Sequence, residues 1–186
     1  MLKTARLTLR EWRDEDLASW AALNADPRVR EFFPNVLTFE ESAAQMRQAR
    51  DHFTRLGFGL WAVEASGQPF IGFIGLSVPS FEAHFTPCVE LGYRLAFDAW
   101  GRGYATEGAE AALRYGFESL GLEEIVAFTA ETNWRSRRVM ERVGMRHDPA
   151  DDFGHPGLPE THPLRRHVLY RCRELRPQSQ IVYNIE

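Results

Sequence analysis

Two glycines flanking a single residue, in Trp100-Gly101-Arg102-Gly103-Tyr104-Ala105-Thr106-Glu107, mark the stretch of this 186-residue chain best suited to chemistry. Glycine lets the backbone turn tightly, so successive N–H groups can point inward. A helical pattern begins at once. Ala109, Ala112, Leu113, Gly116, Phe117 and Leu120 share one face, and Gly121 stands where a left-handed cap would end the helix. Such a turn gathers backbone donors and the positive end of a helix dipole, which suits a phosphate or a pyrophosphate. The same turn also serves as plain structure, and taken alone it does not choose. No Gly-Lys-Ser/Thr follows the glycines, which excludes a P-loop nucleotide hydrolase.

Metal chemistry finds no pattern. His155, His162 and His167 with Asp151 and Asp152 show neither i, i+4 nor HExxH spacing, so no metal site is expected. Cys88 and Cys172 belong to no CxxC pair and read as small buried hydrophobes in a reducing compartment. At 44% hydrophobic and 12% aromatic residues, the chain can bury a sizeable core. A net charge of −4 argues against nucleic-acid binding through overall charge, and a mildly acidic surface suits a cationic substrate. No apolar run approaches the ~20 residues needed to span a bilayer, so a cytoplasmic protein without membrane partners is expected.

The elements that must position the turn follow from periodicity. Leu7 and Leu9 alternate with polar neighbours as a first strand. Asp14 is the expected cap of a helix carrying Leu17, Trp20, Ala21 and Asn24, and Asp26-Pro27 is a second helix-start signal before Val29, Phe32 and Phe33. Thr38 and Glu41 have capping-box spacing for a longer helix that Gly57 ends. Phe58 to Glu64 and Phe70 to Ser77 form a hairpin about Ser66-Gly67, and Cys88 to Leu95 a third strand after a loop. Beyond the glycine turn come a strand from Glu124 to Thr129, a short helix opened by Asn133 and closed by Gly144, and an irregular insertion from Asp148 to Pro163. A strand from His167 to Arg173 follows, and Ile181-Val182-Tyr183 offers a short edge strand. The expected class is mixed α/β: a mostly antiparallel sheet of about seven strands flanked by about four helices, in the order β-α-α-β-β-β-α-β-α-β-β. One domain over residues 1–175 and a polar tail over 176–186 account for the length.

This order, together with the glycine turn, resembles the GNAT superfamily of acyl-CoA N-acyltransferases. That family's phosphate turn reads Gln/Arg-x-x-Gly-x-Gly/Ala, and Trp100, Gly103 and Ala105 occupy the matching positions. Trp100 departs from the usual polar residue but is similar to the branch that acetylates the N-termini of ribosomal proteins, where an aromatic precedes Gly-x-Gly-Tyr-Ala-x-Glu. Arg6 to Arg10, Glu90-Leu91-Gly92-Tyr93, and Asn133-x-x-Ser136-x-x-Val139 with Gly144-Met145 resemble that branch too, so the likeness extends to about Glu174.

The resemblance implies acetyl transfer from acetyl-CoA to a primary amine by direct attack, with no metal. The acceptor would be a peptide or protein N-terminus, or a small amine such as an amino acid, polyamine or antibiotic. It implies that the backbone of Gly101, Arg102, Gly103, Tyr104, Ala105 and Thr106 holds the coenzyme pyrophosphate beside Trp100. Tyr93, Arg94 and Leu95 would offer backbone partners to the pantetheine arm, which Asn133 also approaches while capping its helix. Glu90, a carboxylate in an apolar strand, is the leading general base, and a loop histidine, His84, the runner-up. Many members carry a tyrosine where Met140 stands, and a thioether cannot donate a proton. Ser136 is the expected partner of the leaving thiolate instead. Arg135, Arg137, Arg138 and Arg142 either meet the coenzyme's 3′-phosphate or form a solvated helix face. Phe32, Phe33 and Trp61 are candidate walls of the acceptor site, with the insertion as a mobile lid. Met140 also keeps open a second reading, an acyl-CoA-binding regulatory module with little turnover. Either a monomer or a homodimer is compatible with the sequence.

Overall fold

The computed structural model describes residues 1–173, so the edge strand expected at Ile181 to Tyr183 lies outside the described residues. Nine strands form one sheet: β1 (Leu2–Lys3), β2 (Leu7–Arg10), β3 (Leu60–Ala65), β4 (Gln68–Ser77), β5 (Glu90–Leu95), β6 (Ile125–Ala130), β7 (Arg146–His147), β8 (Phe153–Gly154) and β9 (Arg166–Cys172). Their spatial order is β1-β2-β3-β4-β5-β6-β9-β7, with β8 also on β9. Six of the expected seven strands fall among the described residues, and they become nine there because β1, β7 and β8 are two-residue pairings, too short for alternation to reveal. Among the described residues four α-helices accompany the sheet: α1 (Asp16–Ala25), α2 (Phe39–Leu56), α3 (Tyr104–Glu118) and α4 (Trp134–Arg142). No helix among the described residues is long and apolar enough to cross a membrane.

Every pairing is antiparallel except β5 with β6. Those two parallel strands share one registered pair, Glu90 with Val126. Beyond it they part, leaving one edge of β5 open from Leu91 onward. The α3 and α4 helices cover one face of the sheet, where Ala109, Ala112, Leu113 and Met140 pack with Ile74, Leu91 and Leu95. On the other face α1 and α2 build a second cluster from Trp20, Leu23, Met46 and Phe73. Period-2 alternation therefore decides which layer each residue of β5 meets.

Local signals account for most boundaries. Thr38 and Glu41 close a complete capping box at the start of α2, and Gly57 ends that helix in the left-handed conformation. Two helix-start readings need correction. Asp14 does not cap α1: its carboxylate pairs with Arg50 at 2.7 Å, and Glu15, the residue before the helix, makes no side-chain cap bond. The nearby acid with a structural task is Asp16, buried against Arg10 at 2.7 Å and accepting the Arg13 N–H at 2.8 Å. After Asp26-Pro27 the chain makes successive turns rather than a helix. Arg28 folds back onto Asp26, the Phe33 N–H donates to the Arg30 carbonyl, and Pro34 stops propagation. These turns carry Phe32 and Phe33 to the open edge of β5.

Candidate active site

A cavity of about 660 Å³ opens where β5 and β6 part. Its wall includes Glu90 to Leu95 of β5, Phe128 to Ala130 of β6, the glycine turn, the first part of α4, and Phe32 and Phe33. His155, Gly157 and Leu158 of the late insertion close one side.

At the turn, Gly101 and Gly103 take φ values of 73° and 79°, a region that side chains disfavour. Gly103 sits at the N-cap of α3 and makes no side-chain cap bond. The first amides of that helix, Tyr104, Ala105 and Thr106, therefore face the cavity without intrahelical acceptors. The turn is held from behind. Glu107 accepts from the Thr4 hydroxyl at 2.6 Å, the Arg6 N–H at 2.8 Å and Arg6 Nε at 2.6 Å. Arg6 Nη1 also donates to the Arg102 carbonyl at 2.8 Å. Trp100 fastens the other end, its indole N–H donating to the Leu95 carbonyl at 2.8 Å. The motif's glutamate and tryptophan thus set the turn's shape, and its glycines make the surface. The Arg102 side chain is exposed and does not line the cavity. The donors and the left-handed glycines fit a pyrophosphate, and Arg135, Arg138 and Arg142 of α4 line the same cavity as cations.

Alternation along β5 divides the chemistry. Leu91, Tyr93 and Leu95 point to the α3 and α4 layer, while Glu90, Gly92 and Arg94 point to the α1 and α2 layer. Tyr93 Oη lies 2.9 Å from both the Ser136 hydroxyl and the Ser136 carbonyl oxygen. One phenolic proton can serve the carbonyl while the phenol oxygen accepts the Ser136 hydroxyl. Burial raises the Tyr93 pKa above the usual tyrosine value, so the phenol stays protonated. Asn133 caps α4 by accepting the Ser136 N–H at 3.2 Å and donates to the Thr129 hydroxyl at 2.9 Å, as its position suggested. Met140 is 2% exposed and packs in the core.

On the opposite face Glu90 has no hydrogen-bond donor or cation paired with it among the described residues. Burial alone pushes its carboxyl pKa up to about 8. Arg94 donates Nη1 to Asn24 Oδ1 at 2.9 Å and stacks over Phe33, while its buried Nε has no partner. Two histidines that the sequence offered only as failed metal ligands, His155 and His167, also line the cavity, their rings 4.9 Å apart. Burial lowers both pKa values, that of His167 to about 4, so both are neutral at physiological pH. Their signal in the sequence was slight: His167 falls on an apolar strand and His155 in the insertion.

Three expectations fail here. His84 does not line the cavity; it sits half-exposed with its Nε2 3.5 Å from Asp151, because the loop before β5 folds away toward β9. Trp61 is 3% exposed and packs between Phe53 and Tyr115, on the α3 side of the sheet rather than the acceptor side. The insertion does border the cavity but is fastened, with β8 paired to β9 and Arg165 Nη1 donating to the His155 and Leu158 carbonyls. Among the described residues no group of three or more His, Cys, Asp or Glu could hold a metal ion.

Residues 6–146 match the family described as the acetyltransferase (GNAT) domain. A curated relative, the FsC-acetyl coenzyme A-N(2)-transacetylase of Aspergillus fumigatus, is 36% identical over 153 residues, 78% of this chain. The matched chain spans 65% of that relative's length. An acetyltransferase structure from Agrobacterium tumefaciens superposes with a TM-score of 0.75 at 28% identity, covering 93% of this chain and 94% of its own. The Mycobacterium smegmatis RimJ structure with CoA-disulfide shares the fold at a TM-score of 0.70 and 20% identity, covering 89% of this chain and 81% of its own. With the parted parallel strands, the glycine turn and these likenesses together, the chain belongs to the GNAT acetyltransferase family.

Proposed function

We propose that the protein is an acetyl-CoA-dependent N-acetyltransferase that acetylates a primary amine by direct attack on the thioester. The observation that carries this reading is Glu90. It is a carboxylate with no partner among the described residues and a pKa raised to about 8, on the wall of a cavity that also holds a phosphate-type turn. Acetyl-CoA would supply an activated acyl group. The amides of Tyr104 to Thr106 and the glycine turn would bind its pyrophosphate, with the α4 arginines near its phosphates. The open edge of β5 at Tyr93 would align the pantetheine arm as an added strand does, the Arg94 backbone facing β4 instead. The Leu95 carbonyl is already used by Trp100, so that residue can contribute only its N–H.

Glu90 would take the proton from the attacking ammonium, directly or through water, and a base near pKa 8 matches that task. Tyr93 and Ser136 reach the same edge of β5 from the other face. The Ser136 hydroxyl would hydrogen-bond the departing thiolate, and the Tyr93 phenol would hold that hydroxyl in place. This pair removes the objection raised by Met140, since the hydroxyls come from a strand and a helix turn instead. Phe32 and Phe33 would wall the acceptor side together with His155 and His167. A panel of amines tested for thiol release from acetyl-CoA checks the reading. Amine-dependent release supports it, and tight coenzyme binding with no release on any amine would favour the regulatory module.

A further inference from the structure

Arg94 is a cation without a counter-charge among the described residues. Its Nη1 donates to Asn24 Oδ1, but among the described residues no carboxylate pairs with it, and its buried Nε makes no hydrogen bond. An unsatisfied buried guanidinium N–H is costly, so such a group normally has a reason to be kept. Burial pulls the Arg94 pKa down toward about 9, and the like charge of Arg30 acts in the same direction. Nearby acids do not answer it, because Asp26 is taken by Arg28 and Glu31 by Arg135. Among the described residues Glu90 is the one carboxylate on the wall of the cavity.

The guanidinium is also held in place. Phe33 and Phe73 flank it at 4.3 and 5.4 Å, and Trp20 at 5.3 Å. Asn24, itself fully buried, donates onward to Ser42, whose hydroxyl donates to the Thr38 carbonyl. An arginine fixed by stacking and by a chain of buried amide and hydroxyl groups is pre-organised for a planar anion.

Alternation puts Glu90, Gly92 and Arg94 in a row on one face of β5, all on the cavity wall. Gly92 lacks a side chain, so the row is a base, a gap and a cation. Four strand residues span roughly 13 Å. A ligand bridging side chains that lean from positions so far apart must carry its amine and its carboxylate at opposite ends of an extended chain. We infer that the acceptor is a carboxylate-bearing amine of the ω-amino acid type, lying across Gly92 with its amine toward Glu90 and its carboxylate on Arg94. The inference rests on the acetyltransferase reading and narrows its substrate class. It also reverses the preference for a cationic acceptor that the overall charge suggested, because the cavity wall is cationic there.

The test compares 6-aminohexanoate with its neutral analogue 6-aminohexanamide, and with glycine, in wild type, Arg94→Gln and Arg94→Lys. Wild type should use the carboxylate at least about tenfold better than the amide in kcat/KM, a difference of ~1.4 kcal/mol. That ratio should fall toward one in Arg94→Gln and recover in part in Arg94→Lys. A merely structural arginine would lower both rates and keep the ratio. Calorimetry of 6-aminohexanoate on coenzyme A-loaded protein gives a readout free of turnover, and Arg94→Gln should weaken binding at least about tenfold. Equal use of carboxylate and amide by wild type, an unchanged ratio in Arg94→Gln, or glycine as good as 6-aminohexanoate would overturn the inference. If no amine is acetylated, the acetyltransferase reading fails, while Arg94-dependent binding of the carboxylate still decides the inference by itself.

Discussion

The phenol oxygen of Tyr93 lies 2.9 Å from the hydroxyl of Ser136, joining β5 to the first turn of α4 across the α3 side of the cavity. Glu90, three residues earlier on β5, faces the other way. One strand therefore presents a hydroxyl pair on one side and a carboxylate on the other, and its free edge lies between them. Acyl transfer to an amine needs both groups at once, because the proton that leaves the amine and the proton that reaches the thiolate move at different ends of the reacting atoms.

Removing either hydroxyl should slow the chemical step without loosening the coenzyme. Tyr93→Phe and Ser136→Ala are each expected to lower kcat about tenfold or more, with the Kd of acetyl-CoA within about threefold. Because the two act as one unit, the double variant should be little worse than the poorer single one, and a double-mutant cycle measures this. Fully additive losses would separate the two roles.

Gly103→Val places a side chain at φ 79°, in the left-handed region, at the mouth of the turn. Strain of about 1–3 kcal/mol at that position must distort the turn or the first amides of α3. Acetyl-CoA affinity by calorimetry should drop at least about tenfold in protein that keeps its circular dichroism spectrum. Unchanged affinity in a folded variant would remove the turn from the coenzyme site.

Arg10 and Asp16 form a buried ion pair, 5% and 4% exposed, that ties the end of β2 to the start of α1. Asp16→Ala leaves the guanidinium with Glu64 and the carbonyls of Glu11 and Pro69 and should destabilise the fold by about 3–5 kcal/mol, read as a lower denaturant midpoint. Changing the exposed Asp14, whose partner Arg50 is also on the surface, should cost less than about 1 kcal/mol.

Much of this arrangement was legible beforehand, and the misses share a cause. The capping box of α2, the glycine turn, the Asn133 cap and the isolated Glu90 carboxylate are local signals, each written within a few residues. Which layer covers a given face is not local. Periodicity says that Trp61 is buried but not that α3 lies over it. Nothing near His84 in sequence announces Asp151. The Tyr93 phenol has no local signal, since its partner Ser136 is 43 residues away. Arg94 hid for the same reason: its neighbours Asn24 and Phe33 come from the α1 helix and the turns that follow it.

Glu90 carries the account, and its titration is the sharpest test. Burial raises its folded pKa to about 8 from the ordinary 4.5, so the folded protein holds the proton more tightly than the unfolded chain. Ionising it therefore costs stability as pH rises between those values. Glu90→Gln should raise the melting temperature more at pH 9 than at pH 4. As a base, Glu90 works only when deprotonated, so wild-type kcat/KM should climb with pH and level off above about 8. The decisive measurement is the pH–rate profile of amine-dependent thiol release for wild type and Glu90→Gln, with acetyl-CoA binding measured alongside. The account predicts a limb near pH 8 in wild type and a rate at least about 100-fold lower without that limb in Glu90→Gln, with coenzyme affinity preserved. A Glu90→Gln enzyme with the wild-type rate and the same limb would contradict it.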